Sequence, residues 1–167
     1  MLRTLALTAL AVLAAACVDP SATDYDAVAR EGLVLSLTAS PAAIAPGDTA
    51  RLVARLANHN DHAVRLDFSS GCQILPYVES AEGQVVYPYG GGWGCTAALT
   101  SLTLAAGEVR EVAYVWTGQS YDYDRKTFAP IYTPLPAGSY RAHVVLSGGL
   151  GADRVELRSN TEALTLR

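Results

Sequence analysis

Lysine occurs once in this chain, at Lys126, methionine only at position 1, and phenylalanine twice. No basic run exists and the formal net charge is -4. The electrostatic footprint that nucleic-acid binding needs is therefore missing. No sustained 3.6-residue apolar period appears beyond the first residues, which argues against a helical bundle. Catalytic signatures are equally scarce. Ser69-Ser70-Gly71 lacks the Gly-x-Ser-x-Gly frame of a hydrolase elbow. Asp122 and Asp124 lie among tyrosines without the glycine and terminal glutamate of an EF-hand loop. His59, Asp61 and His62 offer two imidazoles and no marked third ligand, so they read as a solvated turn rather than a metal site. His143 falls on the polar face of its strand. The expectation is a protein that binds rather than catalyses, with no cofactor and no metal.

What is present suits strands. Half of the 167 residues are hydrophobic, enough for one domain with a sizeable core. Leu, Val, Ala, Thr and Tyr dominate, a bias toward β-structure.

The front of the chain reads as a targeting segment, residues 1–17. Arg3 supplies a positive start, and Leu5 to Leu13 is apolar but too short to span a bilayer. Ala14-Ala15-Ala16-Cys17 follows, small residues before a cleavage point. This resembles a bacterial lipobox, in which Cys17 is acylated and becomes the mature N-terminus, although Ala14 stands where leucine is usual. The alternative is ordinary secretion with Cys17 left as a thiol. Residues 18–31 are polar, with Asp19, Asp24 and Asp26, and read as a tether between membrane and domain. The domain then occupies 32–167, facing the periplasm or the exterior, with the lipid as its only membrane contact.

Cysteine arithmetic follows from that reading. With Cys17 acylated, Cys72 and Cys95 remain. An even pair in an oxidising compartment reads as a disulfide. A metal site or two free thiols are the alternatives, and the absence of a CxxC spacing weakens the first.

Along the domain the period is two. Leu33, Leu35, Leu37 and Ala39 alternate with Val34, Ser36 and Thr38. Ala50, Leu52, Ala54 and Leu56 oppose Arg51, Val53 and Arg55. Val64, Leu66 and Phe68 oppose Arg65 and Asp67. One apolar and one charged face describe a half-buried antiparallel sheet. Pro46-Gly47-Asp48 and Asn58 to His62 are turn signals. Further strands are expected at Ile74–Val78, Val85–Tyr87, Leu99–Leu104, Tyr140–Leu146, Val155–Leu157 and Ala163–Leu166. Glu108–Thr117 is apolar on both faces, which suits a central strand. Gly118 to Pro136 reads as a long irregular connection. The sum is about eight strands spaced as in an immunoglobulin-like antiparallel β-sandwich, with a closed barrel as the alternative.

One stretch, Phe68 to Cys95, carries a resemblance. An alternating strand ends in Phe68-Ser69-Ser70-Gly71. An apolar strand with Tyr77 and Glu79 follows, then a turn at Gly83 and the bend that holds Trp93. Beyond it lie Leu102 to Leu104, the turn Ala106-Gly107-Glu108, the aromatic strand Tyr114 to Trp116, and Pro136-Ala137-Gly138-Ser139-Tyr140. In order and spacing these resemble the BsuPI family, intracellular proteinase-inhibitor domains of immunoglobulin-like fold, over roughly Leu33 to Leu146. The resemblance implies a protein partner, a protease first of all. Two features depart from it: the export leader, and Cys72 with Cys95.

The connection Gly118–Pro136 is the candidate contact surface. A segment of that length without a period is commonly functional. Tyr121, Tyr123, Phe128 and Tyr132 surround Arg125-Lys126, and tyrosine and arginine are the usual anchors of binding surfaces. An exposed Arg-Lys pair also suits the acidic pocket of a trypsin-like protease. The bland alternative is a loop whose tyrosines pack on the sandwich edge. The functional expectation is thus a lipid-anchored, exported proteinase inhibitor acting through this loop. The competing expectation is an assembly module of the cell envelope that engages other proteins and has no protease target.

Overall fold

The computed structural model describes residues 31–127 and 129–167. Cys17, most of the expected tether and Phe128 lie outside the described residues. Thirteen strands follow one another, with no helix among the described residues: β1 (Leu33–Ser40), β2 (Ala43–Ile44), β3 (Ala50–Asn58), β4 (Val64–Phe68), β5 (Ile74–Ser80), β6 (Val85–Tyr87), β7 (Thr100–Leu104), β8 (Val109–Trp116), β9 (Gln119–Tyr123), β10 (Pro130–Pro134), β11 (Gly138–Leu150), β12 (Asp153–Arg158) and β13 (Glu162–Leu166). Every segment expected as a strand is present in some form. The strands not expected are the short β2 and β9 and β10, which lie where an irregular connection was expected.

The period of two translates directly into burial. Leu33, Leu35 and Leu37 of β1, Leu52, Ala54 and Leu56 of β3, Leu66 of β4, and Ala142, Val144 and Leu146 of β11 are all inaccessible to solvent or nearly so. Each such leucine contributes about 1.5–3 kcal/mol over the exposed state. Together with Trp116, Leu104, Leu157 and Leu164 they form one core between two sheets. The molecule is an all-β sandwich.

The smaller sheet is β1-β3-β8, antiparallel throughout. The larger has β11 as its axis. Along one side β11 pairs first with β13 and then with β12; along the other it pairs with β5 and, at Gly149, touches β4. β4 carries β7, β5 carries β6, and β2 joins β13 in the one parallel pairing among the described residues. The reach of β11 requires glycine at 148. A Cβ there would stand 2.9 Å from the Phe68 ring.

Two expectations are corrected here. β8 is not central: it forms one edge of the smaller sheet, and Val109 and Val115 are exposed. Apolarity on both faces marked it as buried, whereas only Trp116 at its end is fully covered. His143 does not lie on an open polar face either. Only 4% of it is exposed. Tyr77 of β5 stacks on the imidazole, with centroids 5.4 Å apart. Arg158 of β12 reaches from the other side, its guanidinium 3.3 Å from Nδ1 and 3.2 Å from Glu79 Oε1. With a guanidinium donating to it, Nδ1 must accept, so the ring is neutral with its proton on Nε2. The 3.7 Å approach of Nδ1 to Glu79 is therefore no ion pair at neutral pH; the ion pair is Arg158 with Glu79.

Buried polar groups are satisfied by local chemistry. Asn58 closes the β3–β4 turn, donating to the carbonyls of His62 and Ala105, each at 2.9 Å. Asn160 acts on the outer edge of β1. Its side chain accepts from Leu37 N–H at 2.8 Å and donates to the Leu37 carbonyl at 3.0 Å, as a neighbouring strand would.

Candidate binding site

The segment Gly118–Pro136 is a β-hairpin. β9 and β10 pair from Gln119↔Pro134 to Tyr123↔Pro130. Its entry is Gly118, held at φ 71°, where a Cβ would meet Leu166 at 2.8 Å. Both the left-handed backbone and the lack of space call for glycine. The base is closed by Leu135 N–H donating to Gly118 O at 3.0 Å. Alternation was hidden from a periodicity reading because tyrosines and aspartates interleave and prolines bracket β10.

The hairpin has an aromatic foot. Tyr121 stacks on Trp93 at 5.3 Å, approaches Tyr87 at 6.0 Å, and meets Tyr132 across the strand pair at 5.7 Å. Tyr87 meets Trp93 edge-on at 5.4 Å. Trp93 is fixed in turn by its indole N–H, which donates to the Pro76 carbonyl at 3.2 Å. A backbone bond from Tyr89 N–H to Tyr121 O at 2.7 Å ties the hairpin to the bend after β6. Burial pushes the Tyr87 hydroxyl up, with Tyr132 and Tyr121 adding to the effect. The Tyr87 phenol is thus un-ionised at neutral pH.

A covalent tie holds the bend. Cys72 and Cys95 are bonded, with Cα atoms 5.5 Å apart and a sequence separation of 23. Gly71 N–H donating to Thr96 O at 3.0 Å lies beside it. The even-cysteine reading thus yields the disulfide, and the metal and free-thiol alternatives fall away.

The tip is organised by one carboxylate. Asp124 Oδ1 accepts from Lys126 N–H at 2.7 Å and Thr127 N–H at 2.9 Å. The amides of Thr127 and Lys126 hold the Asp124 carboxyl below the usual carboxylate range. Asp122 Oδ1 takes the Tyr123 amide at 2.8 Å. Both aspartates of the discarded calcium reading are thus occupied by backbone. Arg125 and Lys126 are exposed at this tip, Tyr121 and Tyr123 are half-buried, and Tyr132 is 55% exposed. The candidate contact residues therefore separate into two groups. Arg125 and Lys126 face solvent, while Tyr121 belongs to the foot. Phe128 lies outside the described residues.

Periodicity did not bring Tyr87 and Trp93 to Tyr121 and Tyr132, because they are joined across the gap between β6 and β9. The one available signal was a tryptophan set among Gly90, Gly91, Gly92 and Gly94 beside a cysteine. His59 and His62 lie in the exposed β3–β4 turn, where His62 Nδ1 meets Asp61 at 2.9 Å. Among the described residues no group of three His, Cys, Asp or Glu side chains is placed to hold a metal ion.

A sandwich with a braced hairpin is a scaffold for presenting a surface, and sequence comparison places it. The model of the BsuPI family, described as intracellular proteinase inhibitor, matches residues 37–149. The chain belongs to that family. No curated protein matches it in sequence. Among solved structures it is similar to the CARDB domain of a Pyrococcus furiosus protein, at 14% identity over 87% of this chain and 100% of that one, with a TM-score of 0.46. It is also similar to the alkylpurine DNA glycosylase AlkC of Pseudomonas fluorescens, at 15% identity over 81% of this chain and 30% of that one (TM-score 0.43). A third likeness is to a β-glucosidase of Listeria innocua, at 16% identity over 80% of this chain and 16% of that one (TM-score 0.42). These likenesses are loose and bear on neither activity nor ligand.

Proposed function

We propose that this chain is an exported, lipid-anchored proteinase inhibitor that acts through the tip of the β9–β10 hairpin. The observation that carries the reading is the pairing of an exposed Arg125-Lys126 with a tip already ordered by Asp124. A loop ordered before binding loses less conformational entropy on contact. A basic side chain at such a tip fits the acidic specificity pocket of a trypsin-like protease. The aromatic foot and the disulfide brace the same hairpin from below. Family membership supports a protease as partner and a non-catalytic role.

Export and anchoring rest on Ala14-Ala15-Ala16-Cys17 behind a short apolar run, and on a disulfide of the kind that persists outside reducing compartments. The family description says intracellular, so the leader makes this chain an exported version of the fold. A Cys17→Ser variant should leave the membrane fraction; retention there would end the anchoring reading.

Titration of trypsin with the protein, followed by activity and by gel, tests the inhibition. An inhibitor lowers activity stoichiometrically and stays intact. A chain that is cleaved as a substrate or ignored, and that instead co-purifies with envelope proteins, is the assembly module.

A further inference from the structure

The unused feature of the fold is the outer edge of β8. The two edges of the smaller sheet are treated differently. Asn160 occupies the outer edge of β1 at Leu37. Along β8 no strand pairs with the outer edge among the described residues. Natural edge strands are usually guarded by charges, lysine above all, by proline, a bulge or a short length. β8 reads VREVAYVW over eight residues, with no lysine and no proline; its two charges, Arg110 and Glu111, are each paired within the molecule, to Glu108 and Arg55, and the strand pairs with β3 in continuous register.

The direction of its backbone groups can be assigned. Asn58 N–H donates to Glu108 O at 2.9 Å. Strict alternation then turns the amides and carbonyls of Arg110, Val112 and Tyr114 toward β3. Those of Val109, Glu111, Ala113 and Val115 point to the open side. The side chains of this second set lie on the outer face, where Val109 is 43% and Val115 59% exposed.

We infer that this edge is a self-association site, at which β8 of a second copy pairs antiparallel about a two-fold axis through Val112. The register selects itself. Centred on Val112, Val109 faces Val115 of the second copy, and the reverse, so both exposed valines are covered twice over. Glu111 faces Ala113, and Arg110 faces Tyr114, a cation against an aromatic ring. Shifting the centre to Glu111 sets two glutamates opposite each other. Shifting it to Ala113 sets Glu111 against Val115 and leaves Val109 unmatched. Centring on Val112 also makes Val109–Val115 and Glu111–Ala113 hydrogen-bonded pairs, which satisfies the open amides and carbonyls. On the inner side, Val112 and Tyr114 line a groove of 340 Å³ with Gln73, Ile74 and Leu102, open to receive Val112 of the second copy. The product is one continuous six-stranded sheet across two molecules.

Sedimentation equilibrium of the full chain, in detergent if it carries its lipid, reads the outcome. The wild type should pass from the mass of one chain to twice that mass as concentration rises. Ala113→Pro removes an outward amide and no bond to β3; Val115→Lys places a charge opposite Val109. Each should weaken self-association by about tenfold or more while the melting temperature of dilute protein stays put. Combining Val109→Glu with Val115→Lys should restore it, because the register sets these two positions opposite each other. A monomer at every concentration overturns the proposal. So does a dimer indifferent to both single variants. A dimer that the double variant fails to restore overturns the register.

Discussion

Trp93 lies flat against Tyr121, ring centroids 5.3 Å apart and planes 25° from parallel. The contact joins a glycine-rich bend, held by the disulfide, to a hairpin that begins 25 residues later at Gly118–Gln119. Trp93 lies outside every strand, and among the described residues the β9–β10 hairpin pairs with no strand but its own. Trp93→Ala should therefore cost about 1–3 kcal/mol in stability and, more tellingly, open the hairpin. Limited proteolysis should gain a cut within 118–136 while the rest of the domain survives. If the variant resists proteolysis as the parent does, the foot is not what holds the hairpin.

The Cys72–Cys95 bond closes a loop between residues separated by 23 in sequence. In the chain-entropy account its removal costs roughly 3 kcal/mol. Replacing both cysteines with serine should lower the urea midpoint by that equivalent, and reductant should then have no further effect. The disulfide spans the segment that carries Trp93. The double variant should thus also show the hairpin cut expected of Trp93→Ala, and its absence would separate the two ties.

His143 makes stability depend on pH between about 4 and 6.5. Burial first and the Arg158 charge second lower its pKa to about 4, with the Glu79 charge partly opposing them. The unfolded chain keeps the ordinary value near 6.5. Between these two values the unfolded state binds the extra proton, so stability is whole above about 6.5 and falls as the pH drops toward 4. The loss should be about 1–2 kcal/mol, since the side chains around the ring leave it some polar relief. His143→Phe keeps the stack on Tyr77 and removes the titration. Its stability should be flat across this window when urea unfolding is followed at steps of pH, and a variant as pH-dependent as the parent would refute the assignment.

The same residue shows where sequence reading stops. Alternation along one strand correctly sent Tyr140, Ala142, Val144 and Leu146 inward and His143 outward. What covers the outward face comes from Tyr77 on β5 and Arg158 on β12, and single-strand periodicity carries no information about neighbours. β8 failed for the converse reason. Apolar residues on both faces suit burial on both faces, but a strand at a sheet edge can keep them exposed. The core of β3 and β4 was legible because their apolar residues alternate against charge, and that of β1 because its leucines alternate with Val34, Ser36 and Thr38. In the candidate site, the identity of Arg125, Lys126 and the tyrosines was legible from composition. Their division into tip and foot was not, because it depends on Trp93 and Tyr87 arriving from another part of the chain.

That division yields the sharpest test of the proposed function. Arg125 and Lys126 are exposed, and neither side chain has a hydrogen bond or ion pair among the described residues; the tip is held by the Asp124 carboxylate and by backbone. Arg125→Ala and Lys126→Ala should leave thermal unfolding within about 0.5 kcal/mol of the parent. If the tip is the contact, at least one should weaken protease binding by about 1–3 kcal/mol. Tyr121→Ala removes a ring that touches Trp93, Tyr87 and Tyr132, so it should lower stability and binding together. Inhibition constants and melting curves on the three variants distinguish the cases. Binding lost at the tip with stability intact places the contact at Arg125-Lys126. Binding that falls only when stability falls moves the contact to the aromatic foot. Binding unchanged in all three removes the hairpin from the mechanism and leaves the Trp93 bend, with Tyr89 66% exposed beside it, as the surface to probe next.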